Sequence, residues 1–161
     1  MADIEINNIK AIFNDLQTIG NQVAKDMAIK YRDMLCEEYE NAVDDIFYNA
    51  YTPKYYKRIY SLGGSNSGGS RSYAPFYKNP HGNIIRGGIE FTSERMKKHS
   101  HINKKGEEIT TDNDYILSLA LSGYHGNKNI YTTPTLYNHM IAYRDLLVAD
   151  AQHICDSVYK G

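Results

Sequence analysis

The residue spacing that most suggests a metal is His99-Ser100-His101. Alternate residues of a strand point to the same face, and His81 or His125 could add a third imidazole to a zinc-type site. No cysteine pair and no His-Glu-x-x-His helix accompanies them, so the expectation is no metal. Cys36 and Cys155 are the two cysteines of the chain. Each falls within a helical pattern and reads as a small core or near-core residue in a reduced compartment, not as a disulfide or a nucleophile. Glu37, Glu38, Asp44 and Asp45 could be drawn into a paired-carboxylate site, but they read more simply as the wet side of a long helix. There is no Gly-x-Ser-x-Gly elbow, and GGSNSGG and GGIEF lack the lysine-serine ending of a phosphate loop. The chain is therefore expected to be no enzyme and to carry no cofactor.

Binding chemistry is better represented. The stretch YTPKYYKRIYSL, residues 51–62, interleaves aromatic and cationic side chains between a long helical pattern and a glycine-serine run. Tyrosine offers a rigid amphipathic face and arginine a planar donor fork, both enriched where proteins meet partners. Lys54, Tyr55, Tyr56, Lys57, Arg58 and Tyr60, with Arg71 and Tyr73 just beyond, are the candidate protein-interface residues. The alternative is a nucleic-acid-binding accessory protein that uses the basic, tyrosine-rich segment 51–111, its lysines and arginines on phosphates and its tyrosines stacked on unpaired bases. The sequence pI of about 6.6 and the acidic start of the chain weigh against that alternative.

Charge is unevenly distributed. Residues 1–50 hold 4 Lys/Arg and 10 Asp/Glu, giving -6; residues 51–111 hold 11 and 4, giving +7; residues 112–161 hold 3 and 5, giving -2. An acidic first third and a basic middle can drive head-to-tail association. At 161 residues, with 42% hydrophobic and 23% charged residues, the chain suits one folded domain spanning 1–161. Its 15 tyrosines against 4 phenylalanines and no tryptophan favour half-buried contacts in which each phenol finds a hydrogen-bond partner. The first ten residues lack a basic, apolar leader pattern and no stretch has the length of a membrane span, so the expectation is a soluble cytosolic protein with no membrane partner.

The elements that must position these residues follow from periodicity. Asp3 to Ile6 alternates as a short strand. Asn7 or Asn8 then caps a helix with Ile9, Ile12, Phe13, Leu16 and Ile19 on one stripe, which Gly20-Asn21 ends. A second, long helix carries Val23, Met27, Tyr31, Leu35, Tyr39, Val43, Phe47 and Ala50 and stops before Pro53. Gly63 to Ser70 reads as a flexible loop. Ser72 to Tyr77 and Ile84 to Phe91 read as strands, with Gly87-Gly88 marking a bulge or a close backbone approach. His101 to Thr111 suggests a hairpin. Asp112 or Asp114 caps a short helix through Tyr115, Ile116, Leu119 and Leu121 that Gly123 closes, and Thr133-Pro134 opens a last helix carrying Met140, Tyr143, Leu147, Ala151, Ile154 and Val158. Tyr31, Tyr39 and Tyr143 fall on apolar stripes and read as core. The fold class is α+β: a short N-terminal strand and helix, a long helix, a small antiparallel sheet and a C-terminal helix.

The opening DIEINNIKAIFNDLQTIG, the long helix, the junction YTPKYYKRIYSL, the turn GYHG and the final helix together resemble the neck or tail-completion proteins of tailed bacteriophages. Pro53, Arg58 and Leu62 match a proline, a basic residue and a leucine after the long helix of that family; Tyr60-Ser61-Leu62 replaces a glycine-leucine pair found in many members. The resemblance implies a structural protein of the virion neck, assembled in the host cytoplasm. It would form a homo-oligomeric ring, usually six-fold, between the head connector and the tail tube, with DNA passing through the lumen without specific binding.

Overall fold

The computed structural model describes residues 6–50, 62–63, 68–73, 76–79, 82–124 and 134–159. Helix α1, Ile6–Ala42, is 37 residues long, about 56 Å at 1.5 Å per residue. The two helices expected on either side of Gly20-Asn21 are thus one. A glycine ends a helix by turning left-handed, and Gly20 is not among the glycines with positive φ, Gly106 and Gly123. It costs the helix about 1 kcal/mol relative to alanine without breaking it. Ile6 opens α1 and so belongs to no strand; the rest of the expected strand, residues 3–5, lies outside the described residues.

Past Ala42 the helix widens into a π-helical turn, Val43–Tyr48, ended by the Asn49 N–H donating to the Asp44 carbonyl at 2.8 Å. One extra residue per turn aligns positions five apart, and Val43 and Tyr48 are both buried. The helix therefore ends ahead of Thr52-Pro53, which lie outside the described residues.

Four short strands follow: β1 Ser70–Tyr73, β2 Phe76–Asn79, β3 Gly82–Ile85 and β4 Gly88–Phe91. β1 pairs antiparallel with β4 (Ser70 opposite Phe91, Tyr73 opposite Gly88) and β2 with β3 (Phe76 opposite Ile85, Asn79 opposite Gly82). Both ladders keep one register, so each of the two strands expected from sequence is present but divided. Gly87, at the division, meets the expectation of close approach: a Cβ there would lie 2.1 Å from the Ala28 carbonyl oxygen, so α1 crosses directly over this point.

The second hairpin, β5 His99–Ile102 and β6 Glu108–Thr111, forms close to the expected place. Its turn is held by Asn103 Oδ1, which accepts from the N–H groups of Lys105 and Glu107, and by Gly106 at φ 81.

Helix α2, Asn113–Leu121, is capped by Asp112, whose side chain accepts from the Asp114 N–H at 2.8 Å. Gly123 closes it at φ 80, its N–H donating to Ala120 O while Tyr124 N–H donates to Leu119 O, the paired bonds of a Schellman motif. Helix α3, Leu136–Tyr159, starts later than Thr133-Pro134 implied, because Thr135 Oγ1 is the cap that accepts from the Asn138 N–H.

Tyr39, Val43, Ala120 and Leu136 are fully buried, and Leu35, Ala42, Tyr48, Leu62, Met96, Leu117, Met140 and Leu147 pack with them in the core. α1 and α3 run antiparallel across it: Tyr31 Oη donates to Asp150 Oδ2 at 2.8 Å, and Glu38 Oε1 lies 2.5 Å from His139 Nε2. The α1 stripe through Leu35, Tyr39 and Val43 is as expected, and Tyr31 and Tyr143 pack half-buried beside it. In α2, however, Leu117 and Ala120 face inward while Tyr115 is exposed, a phase that a helix apolar almost all round does not reveal. Cys155, expected near the core, is exposed; Cys36 is half-buried.

Candidate protein-binding surface

Of the eight expected interface residues, Lys54, Tyr55, Tyr56, Lys57, Arg58 and Tyr60 lie outside the described residues. Arg71 and Tyr73 share the outward face of β1, because the strand alternates and Ser70 points into the core. Arg71 is paired across the ladder with Glu90, and its other terminal nitrogen lies 3.9 Å from Glu94. That pairing neutralises its charge at the surface. Tyr73 lies across the ladder from Gly88, whose missing side chain leaves room for the phenol: a Cβ at Gly88 would come within 3.1 Å of the Tyr73 oxygen. Arg71 therefore belongs to a local acidic-basic network, and Tyr73 presents an edge beside it.

The base from which residues 51–61 depart is well defined. Leu62 is buried, and its N–H donates to Tyr48 Oη at 2.9 Å. The Leu62 carbonyl accepts from Tyr39 Oη at 2.9 Å and from the Gly69 N–H at 3.0 Å. Burial, and after it the neighbouring Tyr48, pushes the Tyr39 phenol far above its ordinary range. Gly68, Gly69 and Ser70 are buried too, and the Gly69 carbonyl accepts from the Thr92 N–H. These three residues end the stretch expected as a flexible loop and are packed against the core; residues 64–67 lie outside the described residues. A Cβ on Gly69 would meet Tyr39 Oη at 2.6 Å, which explains a glycine there without appeal to mobility.

Three other features carry surface chemistry. The first is the basic end of the β5–β6 region, where Lys97, Lys98, Lys104 and Lys105 are exposed, as the sequence suggested. The second is an open groove of about 400 Å³ between α1 and α3, lined mainly by Ala24, Met27, Ala28, Leu147, Val148 and Ala151, with Arg144 and Cys155 at its edge. The third is the N-terminal half of α1, where Ile12, Phe13, Leu16, Ile19 and Val23 are between 52% and 72% exposed. The sequence showed the stripe on Ile12, Phe13, Leu16 and Ile19 without showing what covers it.

Glu38, read from the sequence as part of the wet side of the long helix, is half-buried instead, and its partner His139 was not singled out, because a pair separated by 101 positions leaves no local signal. The pair ties α1 to α3, and neither residue lines the groove. Burial lowers the pKa of His99. Among the described residues no group of three or more His, Cys, Asp or Glu side chains gathers as metal ligands, and no helix is long and apolar enough to cross a membrane. His81 and His125 lie outside the described residues.

The arrangement can bind through apolar, aromatic and charged faces. No family model, curated protein or solved structure matches the chain.

Proposed function

We propose that the chain is a structural protein of a tailed phage or prophage virion. It forms a homo-oligomeric ring in the neck that joins the head connector to the tail and lets DNA pass. The observation that carries the proposal is the separation of charge on one protomer. Glu37, Glu40, Asp44 and Asp45 are exposed along the end of α1 and the π-helical turn, while Lys97, Lys98, Lys104 and Lys105 are exposed around the second hairpin. A ring contact sets one patch of a subunit against a different patch of the next, so two surfaces of opposite sign on separate elements suit it. A long helix followed by hairpins and a final helix supports the later part of the family resemblance, while its separate opening helix is merged into α1.

Electron microscopy of the purified protein, alone and with the adjacent connector and tail-tube proteins, tests the proposal. Rings that loosen with added salt are expected, and particles that remain monomeric in every combination would overturn it. Replacing Lys57 and Arg58 together by glutamate is expected to leave the protomer folded and to abolish assembly; assembly unchanged by that replacement would remove the basic segment from the interface.

A further inference from the structure

The N-terminal half of α1 is a helical arm with an uncovered apolar seam, and we infer that its occupant is the same seam of a second copy, laid antiparallel about a two-fold axis. This contact does not rest on the neck proposal. Tyr31 meets Asp150, and the groove brings Ala24 and Ala28 together with Ala151 and Cys155. The described part of α3 runs to Tyr159, so the stretch of α1 before about residue 20 extends past it. An isolated segment of that length is marginal in water, and most helical stability comes from covering an amphipathic face.

The seam has the spacing of a coiled coil. Ile12, Leu16, Ile19 and Val23 alternate intervals of four and three, and Phe13 widens the stripe on one side. Their fractional exposures leave roughly 500 Å² of mainly apolar surface, at the level where patches mark interaction sites. With the polar flanks added, this approaches the ~800 Å² per partner of a stable complex.

Two observations select a second copy. Between residues 11 and 24 the one charged residue is Asp15, so neither an acidic nor a basic partner finds charge to match, while an identical arm meets no repulsion. In an antiparallel pair, Ile12 lies opposite Val23 of the second copy and Leu16 opposite Ile19. That register also brings Phe13 against the second copy's Gly20. Gly20 has room for it: a Cβ there would meet nothing within 4 Å among the described residues. A parallel pair would leave that space unused, and a mid-helix glycine has no other packing reason at this position.

The test is made on the full chain. Light scattering after gel filtration at micromolar concentration is expected to give a dimer or an even multiple, and Leu16→Glu with Ile19→Glu should halve the mass. Both residues are exposed in the protomer, so its core is untouched. Orientation is read separately, with Cys36 and Cys155 replaced by serine: mixing Leu16→Cys protein with Ile19→Cys protein should form the mixed disulfide at least tenfold faster than either forms its own. A monomeric wild type, an association indifferent to the double glutamate, or Leu16→Cys linking preferentially to itself would each overturn the inference.

Discussion

Replacing Tyr48 by phenylalanine should cost more stability than replacing Tyr39, although Tyr39 is the more deeply buried of the two. The reason lies at Leu62. Its carbonyl accepts from both Tyr39 Oη and the Gly69 N–H, so Tyr39→Phe removes one of two bonds and leaves the acceptor satisfied. The net loss should be about 1 kcal/mol. The Leu62 N–H instead donates to Tyr48 Oη, and Tyr48→Phe strands that donor in a buried site. An unsatisfied buried donor costs about 2 kcal/mol, within a range of about 1–3. For a domain of this size each kcal/mol moves the melting midpoint by about 2–4 °C, which separates the variants by several degrees in thermal unfolding followed by circular dichroism. Tyr39→Phe adds a pH signature. Because burial raises its phenol above 10.0, the unfolded chain loses this proton first. The stabilisation is complete below pH 10 and falls by about 1.4 kcal/mol per pH unit above it until the folded phenol ionises. The variant should lose that part of the alkaline slope. Equal costs for the two replacements, or a greater cost for Tyr39→Phe, would refute this account of the Leu62 anchor.

Gly87→Ala should destabilise by about 2 kcal/mol or more, since its Cβ would strike the Ala28 backbone, which cannot rotate away; urea unfolding measures it, and a neutral result would mean α1 and β4 are not in contact there. Ser70→Ala should be neutral or stabilising by up to about 1 kcal/mol, because Ser70 Oγ is buried and has no hydrogen-bond partner among the described residues; a loss near 2 kcal/mol in the same assay would reveal a bond that the structure does not contain. Burial lowers the pKa of His99, so the unfolded chain binds its proton more readily, and the stability it contributes is present above about pH 6.5 and lost as pH falls through the folded value. His99→Asn should flatten the change in urea midpoint between pH 7.5 and pH 5 relative to wild type; an unaltered pH dependence contradicts it.

The legible parts of the fold were those set by local chemistry. Asp112 and Gly123 bracket α2 because a side-chain cap and a left-handed glycine act within a few residues. The spacing of Leu35, Tyr39 and Val43 identified the buried face at the end of α1 because that stretch meets the core, whereas Val23 earlier on the same series is exposed. The break assigned to Gly20 was wrong because glycine only permits a left-handed turn. Whether the turn is taken is not decided by the glycine itself, and here the helix continues through it. Apolar periodicity also cannot distinguish a face covered by the same chain from one left open. Ile12, Leu16 and Ile19 were therefore legible as a stripe, but not as surface, which they are. Arg71 looked like a free cation until strand pairing set Glu90 opposite it, and such a pairing depends on register. The six remaining interface candidates lie outside the described residues.

What the structure adds to those six is their foundation. Tyr48 and Leu62, which flank the segment, are joined by a hydrogen bond, and Leu62 is buried with two further bonds to its carbonyl. A chain that leaves and returns at one point bears its closure entropy once, in folding the core, and that cost grows slowly with loop length. Substitutions at Lys57 or Arg58 should therefore leave the anchor and the core intact. An effect of their replacement on assembly would then report on contact between subunits. The same reasoning sets a control: Tyr48→Phe should loosen the base of the segment as well as lower the melting midpoint, and so weaken assembly even with every cation in place. If Tyr48→Phe lowers stability but leaves assembly at wild-type affinity, the segment binds, if at all, independently of its anchor.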